Sequence, residues 1–166
     1  MPAVLAHDED LPNPLDRVER IAEAYQWAFD RTNPAEVSMR IEGGWSDISL
    51  SLAWRDEFEM LQVVAGFDFK VPAARREETA RLVALINEQM LAGHFDLWSD
   101  DGSLVYRNCL LLAGGAEPND AQCEAVIRFA VESCERYFPA VQFVVWAGRN
   151  AADALESSLL ETHGEA

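Results

Sequence analysis

Ile48-Ser49-Leu50-Ser51-Leu52-Ala53-Trp54 decides the fold class. Large apolar side chains fall on the even positions and small or hydroxylated ones on the odd. Successive strand residues point to opposite faces, so this is an antiparallel strand with one face buried and one left to solvent. The pattern extends upstream, where Val37, Met39 and Ile41 alternate with Ser38, Arg40 and Glu42 before Gly43-Gly44 turns the chain. Downstream, Arg55-Asp56-Glu57 leads into Phe58 to Val71, with Leu61, Val63, Ala65, Phe67 and Phe69 on one face. The opposite face of that third strand carries Met60 and Val64 and is only partly polar.

Helical periodicity flanks the strands. Asn13 is suited to cap a helix, Pro14 to open it, and Asp16 and Glu19 to its positive end. Leu15, Val18, Ile21, Ala22, Tyr25 and Phe29 recur at three and four, which predicts a helix reaching Phe29 and ended by Arg31-Thr32-Asn33-Pro34. Pro72 opens a second helix over 73–92, with Gly93 as its stop. Phe95 to Ser99 and Ser103 to Ala113 read as a hairpin with Asp100-Asp101-Gly102 at its tip. The second arm is apolar on both faces, as a central strand or an interface strand is. A third helix runs through Val126, Ile127, Ala130, Val131, Cys134 and Phe138. Pro139 disfavours helix just before it, and periodicity leaves 139–147 open between helix and strand. Asn150 can cap a last short helix.

The order is α-βββ-α-ββ-α with a C-terminal extension, an α+β fold in which helices pack an antiparallel sheet. Residues 1–12 read as a disordered tail, 13–147 as one domain, and 148–166 as a short helix and tail.

Charge narrows the function. The 166 residues carry a formal net charge of −16, which repels nucleic acid and anionic membrane over the whole surface. No stretch approaches the ~20 apolar residues of a membrane span, and no secretion signal opens the chain, so the expected location is cytoplasmic. Three cysteines, Cys109, Cys123 and Cys134, and three scattered histidines lack metal-ligand spacing, and the cysteines read as buried small hydrophobes. No metal and no cofactor is expected.

Candidate catalytic groups do not converge. Asp96, Asp100, Asp101 and Gly102 resemble a calcium loop, but Trp98 and Asn108 stand where further ligands belong, and a hairpin turn explains them. His94 and Asp96 share a strand face without a nucleophile beside them. Gly43-Gly44 and Gly114-Gly115 fit no phosphate-binding loop. Glu57 with Glu59, and Glu77 with Glu78, are pairs that chance supplies in a chain with 29 acidic residues.

The aromatic residues say more. Trp45, Trp54, Trp98 and Tyr106 lie on strands or beside turns, and Arg55 and Arg107 adjoin two of them. They serve either a core or an apolar patch for a partner, since Trp, Tyr and Arg favour interfaces. Trp54, Trp98, Tyr106 and Arg107 form the candidate partner-binding set.

The chain resembles the bacterial YbjN family of sensory transduction regulators, which has a type III secretion chaperone-like fold. The likeness is carried by Trp98-Ser-Asp-Asp-Gly-Ser-Leu-Val-Tyr-Arg107, by Glu135-Arg-Tyr-Phe-Pro-Ala140 and by Phe143-Val-Val-Trp-Ala-Gly148. It implies a homodimer that holds a protein or peptide client against apolar patches, and it implies that residues 139–147 continue the third helix. The expectation is a non-enzymatic chaperone-like adaptor or regulator. The alternative is a small-molecule sensor or enzyme with a pocket between helix and sheet.

Overall fold

The computed structural model describes residues 13–163, with side chains through Leu160. The tail expected over 1–12 lies outside these residues. The chain forms helix α1 (Pro14–Ala24), strands β1 (Ala28–Asn33), β2 (Glu36–Ile41), β3 (Ile48–Arg55) and β4 (Met60–Lys70), and helix α2 (Arg76–Asn87). Strands β5 (His94–Leu97) and β6 (Ser103–Leu111) follow, then helices α3 (Asp120–Val145) and α4 (Ala151–His163). The six strands make one antiparallel sheet in the order β1-β2-β3-β4-β6-β5.

The α+β architecture is the expected one, with one strand more. Helix α1 stops at Ala24 because Gln26 turns left-handed at φ 58°. There the Trp27 N–H donates to Ala22 O at 2.9 Å and the Gln26 N–H to Glu23 O at 3.1 Å, the paired bonds of a Schellman stop. Phe29 therefore belongs to β1, paired with Met39, and not to the helix. Helix α2 is also shorter than expected. Asn87 ends it by turning its side chain to Phe95, accepting from the Phe95 N–H at 2.8 Å and donating to its carbonyl at 3.0 Å. That clip answers backbone groups on edge strand β5, which would otherwise stand unpaired.

Helix α3 begins with a capping box of Asn119 and Gln122 and runs unbroken past Pro139 to Val145. The proline forfeits one backbone bond. Tyr137, Phe138, Pro139, Ala140 and Val141 are nevertheless all buried, so packing holds the helix straight through. The helical reading of 139–147 is thus correct up to Val145.

Apart from Val105, the large buried side chains of the sheet lie on one face. The row Phe29–Met39–Leu50–Ala65–Tyr106–Phe95 crosses all six strands beneath α1, α2 and α3. Helix α4 packs against α2 and α3, burying Ala151, Ala154 and Leu155. Two side chains at the start of α2 fix that corner. Arg75 donates to Val144 O at 2.8 Å and to Arg149 O at 2.9 Å, and Glu78 accepts from the Ala151 N–H at 2.7 Å. Asn150 caps α4 through the Asp153 N–H, as its position suggested.

Candidate functional site

Among the described residues no helix lies over the second face of the sheet. Two rows define it: Asp30–Ser38–Ser51–Val64–Arg107–His94 and Ala28–Arg40–Ser49–Gly66–Val105–Asp96. Serines on β2 and β3 give way to apolar residues on β4 and β6, with Met60 opposite Leu111 and, beyond Gln62 and Cys109, Val64 and Val105. A hollow of about 620 Å³ lies over this face, lined by Ser49, Ser51, Val64, Gly66, Val105 and Trp98 among others. It is on the open side of the sheet, not between helix and sheet.

Trp98 is placed there by its hairpin. Its N–H donates to Ser103 O at 2.8 Å and its carbonyl accepts from the Gly102 N–H at 2.9 Å, with Gly102 at φ 78°. A Cβ at Gly102 would stand 2.5 Å from Val71 O, so glycine is needed on two counts. Asp101 braces the turn, accepting from the Ser103 N–H at 3.0 Å and pairing with Lys70. That lysine, with the Ser103 bonds, holds the Asp101 carboxyl down at about 2. The indole, 43% exposed, lies in the hollow beside Val105, which is buried although it belongs to the uncovered face.

The four predicted partner-binding residues divide between the faces. Trp98 and Arg107 are on the open one. Tyr106 faces the helices, is wholly buried, donates to Ala92 O at 3.1 Å and accepts from Asn108 at 3.1 Å. It is core, and burial pushes its phenol up. Adjacent strand residues point oppositely, so Tyr106 and Arg107 cannot share a surface. Trp54 sits on the helix side too, opposite Leu61 and half-buried against the core. Cys109 departs from the buried reading of the cysteines: odd-numbered on β6, it is exposed on the open face. Cys123 and Cys134 are buried as expected, and desolvation pushes their thiols up to about 11 and about 12.

His94, Asp96 and Arg107 cluster at the β5 side of the open face. Asp96 pairs with Arg107 at 3.1 Å and with His94 Nε2 at 3.3 Å, so its carboxylate is committed to two neighbours. This neutralises charge; it does not assemble a nucleophile and base. Among the described residues no three metal-ligating side chains gather. No helix among them is long and apolar enough to cross a membrane.

Residues 14–143 match the profile of the YbjN family, described as "Putative bacterial sensory transduction regulator". The chain belongs to the YbjN family. Its description is that of a regulator and not of an enzyme. The matched span covers the sheet and most of α3 and stops before α4. The crystal structure of YbjN from E. coli, "a putative transcription regulator", superposes with a TM-score of 0.54 at 15% identity. The superposition covers 73% of this chain and 85% of that one, and at this identity it shows a shared fold. No curated protein matches the chain significantly in sequence.

Two features escaped the sequence reading. One is the corner held by Arg75 and Glu78. The other is an aromatic cluster drawn from Trp45, Phe67, Phe69, Phe138 and Trp146. Its members are spread over a hundred positions, so no local period marks it.

Proposed function

We propose that this YbjN-family chain is a non-enzymatic protein-binding module, a chaperone-like adaptor or regulator, whose open sheet face receives a polypeptide. One observation carries the reading. The strand residues of that face hold four cations, Arg40, Arg55, Lys70 and Arg107, against four carboxylates, Asp30, Glu36, Asp68 and Asp96. These strand residues sum to zero while the whole chain carries −16, and with Asp47 and Asp101 of the flanking turns, which lie against Arg40 and Lys70, most of the excess charge still lies elsewhere. Charge keeps such a chain from associating except where it is locally cancelled and the surface is apolar. Six strands at ~4.8 Å spacing give a face on the order of 700 Å², near the ~800 Å² per partner of a standard interface.

The same neutrality suits a second copy. In this reading two open faces cover one another in a homodimer, and a client displaces one of them. Sedimentation equilibrium is the test. Wild type is expected to be dimeric and Val64→Arg monomeric, still folded and melting within about 4 °C of wild type. Wild type is expected to carry a co-purifying polypeptide in native mass spectrometry and Trp98→Ala to lose it. If both variants assemble and capture as wild type does, the open face is not the docking surface.

A further inference from the structure

The two edges of the sheet end differently. In an antiparallel pair, residues directly opposite one another exchange both backbone bonds or neither, alternating along the strand. The Trp54 N–H donates to Ala35 O at 2.9 Å, so the odd residues of β2 bond to β3. Ser38 and Arg40 then bond the other way, to Asp30 and Ala28 of β1, and the N–H and C=O groups of Phe29 and Arg31 point off the sheet. At the far edge the Trp98 N–H donates to Ser103 O at 2.8 Å, which by the same alternation turns Phe95 of β5 off the sheet. There Asn87 takes both of its backbone groups.

Strand β1 has no such plug. Among the described residues nothing bonds the outward groups of Phe29 and Arg31, and Asp30 between them is exposed and makes no ion pair. The window closes at one end where Arg31 Nε donates to Asn33 O at 3.1 Å, and at the other where the Trp27 N–H is given to Ala22 O. What remains is a set of alternate backbone donors and acceptors that an extended chain matches.

A second copy fits this window badly. The two-fold register that uses both residues pairs Phe29 with the second copy's Arg31. It sets Asp30 directly against its counterpart, at the close spacing of a pair without backbone bonds, where like charges repel. A slip of two residues one way sets Arg31 against Arg31. The opposite slip sets Arg31 against Trp27, whose N–H is already committed.

We infer that the β1 edge accepts a strand from a different polypeptide, laid antiparallel along Phe29 to Arg31, with a basic residue opposite Asp30 and an apolar one opposite Phe29. Main-chain bonds supply the affinity and the alternate side chains supply the choice. The residue opposite Asp30 projects to the open side of the sheet. The one opposite Phe29 projects to the helix side, where Phe29 packs half-buried against the core. Arg31 is already paired with Asp16 and Glu19 and asks for no charge across from it. The edge is distinct from the open face, and its test does not depend on what that face binds.

Amide hydrogen exchange on the ¹⁵N-labelled chain, free and with peptide, is the test. In the free protein the Phe29 and Arg31 amides are expected to exchange faster than that of Asp30. Protection of both in the free protein overturns the proposal, because a second copy or residues outside 13–163 then already fill the edge. The probe is a short blocked peptide of alternating valine and threonine, with lysine in place of the central threonine. It is expected to protect both amides, and its failure to do so overturns the proposal. The same peptide N-methylated on the valines flanking lysine is expected to protect neither, and a glutamate-centred peptide to bind about fivefold more weakly. Asp30→Lys is expected to reverse the preference for lysine over glutamate, and Val64→Arg to bind as wild type does. Equal binding of the N-methylated peptide, or an unreversed preference in Asp30→Lys, overturns the proposal. Loss of binding in Val64→Arg also overturns it, by moving the strand to the open face.

Discussion

The two faces of one sheet obey different rules. Beneath the helices, β3 and β4 present Leu50, Leu52, Leu61, Val63 and Ala65, all buried. One residue along, the same strands present Ser49, Ser51, Gln62, Val64 and Gly66 to the open side. The covered face is selected for volume, since each large side chain there removes apolar area from water at about 25 cal/mol per Å². The open face is selected for balance, with cancelled charges and side chains that neither fill a core nor repel a neighbour. With the open face as the proposed docking surface, a strand's alternation would divide stability from recognition at single-residue resolution.

The sharpest way to break that division is to place the same charge one position apart. Ala65→Arg puts a cation among fully buried neighbours and is expected to cost about 4 kcal/mol or more, leaving little folded protein. Val64→Arg, its neighbour on the open face, is expected to shift stability by less than about 1 kcal/mol while abolishing assembly. Circular dichroism melts with sedimentation equilibrium separate the outcomes. Equal destabilisation by both would mean that the open face is also packed.

A second comparison concerns Tyr106 and Arg107. Tyr106→Phe keeps the ring and deletes the hydroxyl that joins Ala92 O and Asn108, so about 1–2 kcal/mol of stability is expected to go with no change in partner binding. Arg107→Ala should do the reverse, freeing Asp96 and adding negative charge to a neutral face. Urea titration read against a pull-down checks the pair.

The alternation over 48–54 is enough to assign these faces for β2, β3 and β4, but the candidate set puts Trp54 and Tyr106, which face the helices, on one surface with Trp98 and Arg107. Their burial depends on which side the helices cover, and that is settled by α3 crossing β4 and β6, a contact between distant segments. The same holds for Trp45 and Trp146, a hundred residues apart and brought together by the fold. Helix α4 was legible as a helix from Asn150, but its docking was not. Glu78→Ala tests that docking by leaving the Ala151 N–H without its acceptor; about 1 kcal/mol is expected to be lost, with hydrogen exchange rising in α4 before it rises in the sheet.

The strand that periodicity missed gives the smallest effect and the only stabilising one. Leu15 to Phe29 keeps helical spacing throughout, and a helix stop is ordinarily marked by glycine. Here Gln26 occupies the left-handed position, a conformation in which a side chain costs about 1 kcal/mol. The Schellman bonds at Ala22 and Glu23, and the pairing of β1 with β2, outweigh that local cost. Gln26→Gly removes the strain while adding backbone freedom to the unfolded chain, so a net gain of about 0.5 kcal/mol is expected, raising the melting temperature by about 1–2 °C. A drop instead would mean that the glutamine side chain itself holds the end of α1, and that β1 depends on it for its place at the edge of the sheet.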